Sequence, residues 1–167
     1  AGGVWQAVDL THDATWHAEL FFGSGGLAAD GIVFALQNHS PTAIGDGGGN
    51  IGADVNGTLR PVSADPAQAQ WGLGNAVGVK FDTFQNAFDL YPQYAQFFYN
   101  GDVNNLRGSQ TLAQRLANSQ QIAGTLANGA WHDLVVSWNA ATKTLTYTLD
   151  GTVSDQIVRD VVADFGD

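Results

Sequence analysis

The chain has 167 residues, a formal net charge of -10 at pH 7, no cysteine, and 15 Asp beside a single Glu. This length fits one domain that can bury a core without cross-links, so the lack of cysteine excludes only a disulfide scaffold. The acidic balance argues against nucleic-acid binding, and no apolar run is long enough for insertion into a membrane.

Alternating, β-branched and aromatic residues predict a series of short strands separated by Gly, Asn and Asp. The expected strands cover residues 4–10, 16–22, 31–37, 76–83, 95–100, 131–138 and 143–149. Many short strands with turn residues between them favour an all-β antiparallel sandwich. In WHDLVVSWN, residues 131–139, alternate positions differ in polarity, as expected for a strand with two differently packed faces. Residues 139–143 then predict a hairpin turn.

Two segments depart from this series of strands. The spacing of Leu112, Ala113 and Leu116 favours a helical turn within residues 109–123. Residues 45–70 are predicted to form a long loop poor in apolar residues. Loops of that length are usually functional or mobile.

A candidate cation site follows the predicted strand in VGVKFDTFQNAFD, residues 77–89. Asp82, Asn86 and Asp89 supply side-chain oxygens within eight residues, and the carbonyl of Phe84 lies between them. Calcium binds carboxylate, amide and carbonyl oxygens of this kind. An ordinary strand end with Asp and Asn in a turn gives the same pattern, so this segment alone leaves both interpretations open.

A second motif, Ala29-Asp30-Gly31, precedes the strand of GGLAADGIVFALQN, residues 25–38. Together with Phe-Asp-Thr-x-x-Asn at residues 81–86, it resembles the legume-type (L-type) lectin family, specifically its bacterial members. Residues 1–23 and 126–151 extend the resemblance over most of the chain. It implies a jelly-roll sandwich of the concanavalin A-like lectin fold, a cis Ala29–Asp30 peptide bond, and one carbohydrate-binding domain over residues 1–167.

The resemblance also implies roles for particular residues. Calcium (Ca2+) would be held by the side chains of Asp82, Asn86 and Asp89 and by the carbonyl of Phe84, with waters completing the shell. For a bound sugar, Asp30 would accept hydroxyl hydrogen bonds and Asn86 would donate one. Further contacts would come from the ring of Phe84 and from the backbone of Gly48 or Gly49, of which Gly49 matches better.

Two residues depart from the plant members of the family, and both concern their second, transition-metal ion. Lys80 stands where those lectins place a Glu, and Tyr94 is the best match to a metal-binding His. A protonated lysine cannot ligate a metal. We therefore expect no transition metal here, with the Lys80 ammonium neutralising Asp82 or Asp89. The alternative is that Lys80 faces solvent.

These features predict calcium-dependent, non-catalytic binding of mono- or oligosaccharides by an adhesion module of a secreted or cell-surface protein. Additional partners would be further domains or copies of the same protein. Because the family normally adds strands after residues 150–151, we expect C-terminal strands to be missing and the chain to be a fragment. One alternative is a structural or protein-binding module with an unused sugar site. A glycoside hydrolase or polysaccharide lyase is disfavoured because Glu19 is the only Glu.

Overall fold

The computed structural model describes residues 2–25, 29–54, 72–106 and 108–166. In these residues eight strands form two antiparallel four-stranded sheets, which confirms the predicted all-β sandwich. The strands are β1 (Ala14–Phe21), β2 (Gly31–Gln37), β3 (Ala76–Asp82), β4 (Tyr94–Tyr99), β5 (Ser119–Gln121), β6 (Trp131–Asn139), β7 (Thr144–Leu149) and β8 (Val153–Val158). The two short helices are α1 (Leu112–Ala117) and α2 (Val161–Phe165), and neither could span a membrane.

One sheet has the strand order β1-β6-β7-β8, and its inner face packs on the core. The alternation predicted for residues 131–139 is confirmed, because Leu134, Val136 and Trp138 are buried while their neighbours are more exposed. The predicted turn after this strand is confirmed as well, with the Thr142 N–H donating to Asn139 Oδ1 over 2.8 Å.

The other sheet has the order β2-β3-β4-β5 and carries the candidate site. Its central strand β3 is buried along its whole length. Val79 and Phe81 face the sandwich core, so Lys80 and Asp82 face the opposite side. A second apolar cluster covers that side, and it includes Ala43, Ala53, Leu73, Ala76, Phe98 and Val103. Polar side chains there are therefore enclosed under loops.

Some of the predicted elements need correction. The strand expected at residues 4–10 is wrong, because this segment pairs with none of the described strands and Val4 is almost fully exposed. The predictions also missed β5, β8 and α2, which are short or rich in polar residues. Of the long loop expected at residues 45–70, the part from 45 to 54 includes a 3-10 turn, and the rest lies outside the described residues.

The helical turn expected within residues 109–123 is confirmed as α1, although for a different reason. Leu112 and Leu116 are 62% and 49% exposed, so their spacing does not reflect burial. A capping box starts the helix. The Thr111 N–H donates to the Gln114 side chain, and the Gln114 N–H donates to the Thr111 side chain.

Candidate functional site

Strand pairing brings the two sequence motifs together. Gly31 at the start of β2 lies opposite Asp82 at the end of β3, and the Thr83 N–H donates to the Asp30 carbonyl over 2.9 Å. Segments about fifty residues apart in sequence therefore meet at one end of the sheet. The Ala29–Asp30 peptide bond is cis, as the resemblance implied.

The Gly of the Ala-Asp-Gly motif has a steric explanation. Gly31 has φ +149, and a Cβ added there would lie 2.2 Å from the Phe81 carbonyl oxygen. A side chain at this position would push β2 away from β3, so only glycine fits. The close approach fixes Asp30 beside the loop that follows β3.

A glycine turn completes the convergence. A Cβ built on Gly48 would lie 3.7 Å from Asp30 Oδ2, and one built on Gly49 would lie 3.3 Å from Asn86 Nδ2. The turn comprises the 3-10 segment Gly48–Asn50. The structure therefore brings Asp30, both glycines and Asn86 together, as the resemblance implied, into a surface that we call the cup.

Phe84 borders the Asn86 side of the cup, in the loop that follows β3. Its side chain is 51% exposed, which leaves ring surface available for contact with a ligand. The Phe84 N–H donates to Asp82 Oδ1 over 3.1 Å, and the Phe84 carbonyl accepts from Asn86 Nδ2 over 3.3 Å. These hydrogen bonds hold the backbone of Phe84, which carries the exposed ring, against the buried Asp82 carboxylate and the Asn86 amide.

Sequence reasoning missed two residues that support these loops. Buried Asn104 donates from Nδ2 to the Gly49 carbonyl over 2.7 Å and so anchors the glycine turn. Arg115 on α1 donates to the Phe88 carbonyl over 3.2 Å, behind the loop after β3. Neither residue belongs to a motif, because each acts on backbone far away in sequence.

Two carboxylates surround a lysine beneath the cup. Lys80 Nζ lies 3.0 Å from Asp82 Oδ2 and 3.3 Å from Asp89 Oδ1. The Lys80 side chain is 0% exposed, so the alternative of a solvent-facing lysine is wrong. The ammonium pairs with both candidate carboxylates and also lies 4.5 Å from the centroid of the Tyr94 ring.

The second carboxylate has two further partners. The Tyr94 hydroxyl donates to Asp89 Oδ1 over 2.8 Å, and the Asn86 N–H donates to Asp89 Oδ2 over 2.6 Å. Burial, with a further contribution from the Asp89 charge, raises the pKa of the Tyr94 hydroxyl, which therefore keeps its proton and remains a donor. Tyr94 thus orients Asp89 through a hydrogen bond.

Burial dominates the electrostatics of Asp82. It raises the pKa of this carboxyl group above its ordinary value, the Lys80 ammonium opposes the rise, and the Asp89 charge adds to it. Two carboxylates share one ammonium, so the ionised cluster keeps an excess of negative charge. An additional cation bound from outside would compensate that excess.

The residues present fit calcium. Asp82, Asn86 and Asp89 and the Phe84 carbonyl offer hard oxygens on one short loop, which is the ligand chemistry that calcium prefers. Among the described residues no group of three or more His, Cys, Asp or Glu side chains could hold a metal ion. A calcium site here would therefore combine two carboxylates with amide and carbonyl oxygens.

Comparison with known proteins agrees with this architecture. The chain is 28% identical over 165 residues to the pesticidal crystal protein Cry22Aa of Bacillus thuringiensis, covering 89% of this chain and 20% of that protein. Among solved structures, winged bean acidic lectin complexed with methyl-α-D-galactose matches with TM-score 0.57 and 22% identity, over 92% of this chain and 56% of that one. The Bauhinia forficata lectin in complex with GalNAc gives TM-score 0.60 and 19% identity, over 93% and 61%.

The identities to the solved lectins are low, so these matches establish the fold alone. The chain spans less than two thirds of the length of these relatives. The profile of the legume lectin β-barrel domain, in contrast, matches the whole of residues 1–167. The chain is therefore a member of the legume lectin β-barrel domain family.

Proposed function

We propose that this domain binds carbohydrate without catalysis and that calcium fixes the ligating side chains of its binding loop. The observation that carries the proposal is the convergence of Asp30, the glycine turn and Asn86, with Phe84 on the same loop as Asn86. Sugar recognition requires this combination of acceptor, donor, accessible backbone and apolar ring surface.

Each part of the cup has a role in the proposed complex. The Asp30 carboxylate accepts hydrogen bonds from two sugar hydroxyls, and charged acceptors make the stronger bonds of this type. The Asn86 amide donates to a further hydroxyl. The lack of side chains at the glycine turn lets the backbone of Gly49 approach the sugar, while the ring of Phe84 covers a C–H face.

The proposed calcium ligands are Asp82, Asn86, Asp89 and the carbonyl of Phe84. When bound, calcium supplies a fixed charge that holds these ligating side chains. The chain's own residues provide the rest of the site. In the proposed complex Asn86 contacts both the ion and the sugar, whereas Asp30 contacts only the sugar. Loss of the ion should therefore release the side chain of Asn86 and leave the Asp30 segment on its strand.

Two observations favour binding over hydrolysis. Glu19 is exposed on β1, in the sheet that does not carry the cup. The carboxylates closest to the loop after β3, Asp82 and Asp89, are buried around Lys80. A glycosidase needs two carboxyl groups on either side of the scissile bond, and neither the position of Glu19 nor the ion pairs of Asp82 and Asp89 favour such a couple.

We further propose that the domain is an adhesion module of a secreted or cell-surface protein. The winged bean and Bauhinia forficata lectins were crystallised with methyl-α-D-galactose and GalNAc, which supports glycans as the partners here. We expect one such site to bind a single sugar weakly. Repetition of the site, in further domains or copies of the protein, would raise the overall strength of attachment.

A glycan array tests the proposal when it is run with calcium and with a chelator. We expect binding to one group of related glycans in calcium and loss of that binding in chelator. Folded protein that binds no glycan in calcium would instead favour a structural module with an unused site. Release of soluble sugar from a bound polysaccharide would favour an enzyme.

A further inference from the structure

The position of Lys80 needs a physical explanation, because a fully buried ammonium is costly unless its charge is compensated. Lys80 extends from β3, which is buried along its whole length between β2 and β4. Its ammonium reaches both Asp82 and Asp89 and no solvent. The lysine is thus held by a rigid element and points at the two carboxylates of the proposed calcium site.

We propose that Lys80 is a built-in cation that holds Asp82 and Asp89 in place before calcium binds. The ammonium lies within hydrogen-bond distance of both carboxylates, at 3.0 and 3.3 Å, and therefore occupies the position from which one cation can contact both. The inference rests on the proposed function because it takes these carboxylates as calcium ligands. It adds that the loop is ordered in the absence of calcium.

The effect of Lys80 reaches the cup through two carboxylates. Asp82, paired with the ammonium, accepts the N–H of Phe84, and Asp89, paired likewise, accepts the N–H of Asn86. Both residues are proposed to contact the sugar. An internal charge on a buried strand thereby fixes the backbone of an exposed loop, and calcium arrives at ligands that already have a fixed position.

The same geometry limits the number of ions. Because Lys80 Nζ fills the space between Asp82 and Asp89, a second cation cannot bridge these carboxylates there. The one remaining negative charge attracts a further cation only on the side facing the loop. We therefore expect one calcium ion per domain.

Removal of the charge tests the role of Lys80. Lys80→Met keeps a long apolar side chain but leaves two buried carboxylates without their ammonium. In chelator we expect its melting temperature to fall by about 10 °C, since breaking a buried ion pair is strongly destabilising. Calcium should then raise the melting temperature of Lys80→Met by about twice as much as that of the wild type, because it replaces the lost charge.

Lys143 provides a matched control within the same chain. It forms an ion pair with Asp160 at 3.1 Å, but the two side chains are 40% and 49% exposed to solvent. Exposed pairs contribute little to stability. Lys143→Met should melt like the wild type in chelator and in calcium. Equal melting of Lys80→Met and Lys143→Met in chelator, or equal calcium-induced rises, would overturn the proposal.

A measurement on the unchanged protein covers the case in which Lys80→Met fails to fold. Amide hydrogen exchange in chelator should show the N–H groups of Phe84 and Asn86 already protected, and calcium should change their rates little. Rapid exchange of both amides in chelator, slowed only by calcium, would overturn the proposal. If the two amides are protected but the protein binds no calcium, Lys80 still holds the two carboxylates in place, and the proposal of calcium as the bound cation is wrong.

Discussion

Asp30 shows how single residues determine this site. Gly31 allows close contact with the Phe81 carbonyl, so the carboxylate just before it is held at a fixed point of the sheet. Gly48 lies against the same carboxylate. Because no hydrogen bond or ion pair in the described part of the chain joins the Asp30 side chain to a proposed calcium ligand, its role can be tested separately from that of the ion.

Replacement of Asp30 by Asn should weaken glycan binding and leave calcium binding intact. The change preserves shape but replaces a charged acceptor, and we expect a loss of about 10- to 100-fold in glycan affinity. Asn86→Ala is the comparison, because it should weaken both glycan and calcium. Calorimetric titration of each variant measures the two affinities. Unchanged glycan affinity in Asp30→Asn would place the sugar elsewhere.

The elements differ in how well the sequence predicts them. Strand β6 was predicted well because burial alternates along it with the period of a strand. The apolar alternation of residues 4–10 was misleading, since a strand also needs a partner and pattern alone does not reveal one. The helix α1 depends on a capping box at Thr111, whereas its leucines are exposed.

The residues of the candidate site also differ in how well the sequence predicts their positions. Asp82, Asn86 and Asp89 are close in sequence, and Asp30 belongs to a recognisable motif, so their proximity could be predicted. The double pairing of Lys80 and the anchoring role of Asn104 depend on how distant loops cover β3 and β4. Such packing has no local signal in the sequence.

The loop containing Asn104 offers a test at the level of elements. Asn104→Ala removes the hydrogen bond to the Gly49 carbonyl, so the glycine turn should lose its fixed distance from Asn86. We expect glycan affinity to fall by about fivefold, as for one buried hydrogen bond, while calcium affinity is unchanged.

The matched control for this variant is Asn75→Ala. Asn75 also donates to a backbone carbonyl, that of Asp164, but it is half-buried and lies outside the cup. Its glycan affinity should equal that of the wild type. A fall in the melting temperature of Asn104→Ala without any fall in glycan affinity would mean that Asn104 supports the fold alone.

For the whole molecule, calcium should act as a stabilising ligand. Ions that bind only the folded state raise the melting temperature. Asp82→Ala should abolish this rise and should also lower stability in chelator, because Lys80 then keeps Asp89 as its partner and loses Asp82. In chelator the free energy of unfolding of Asp82→Ala should fall by at most about 3–5 kcal/mol, the loss that is typical of a broken buried ion pair.

Thermal melts of the wild type and Asp82→Ala, each with calcium and with chelator, check this expectation. A control at Asp160, which pairs with Lys143 on the surface, should retain the full response to calcium. If Asp82→Ala responds to calcium as the wild type does, the ion binds at a different place. If it matches the wild type in chelator, the pairing with Lys80 contributes little to the fold.

The burial of Lys80 also bears on which ions the proposed site has to take up from solution. The Lys80 ammonium is part of the chain, so this positive charge does not have to be bound from solution. The proposed glycan binding should therefore depend on calcium alone and not on the supply of a transition metal.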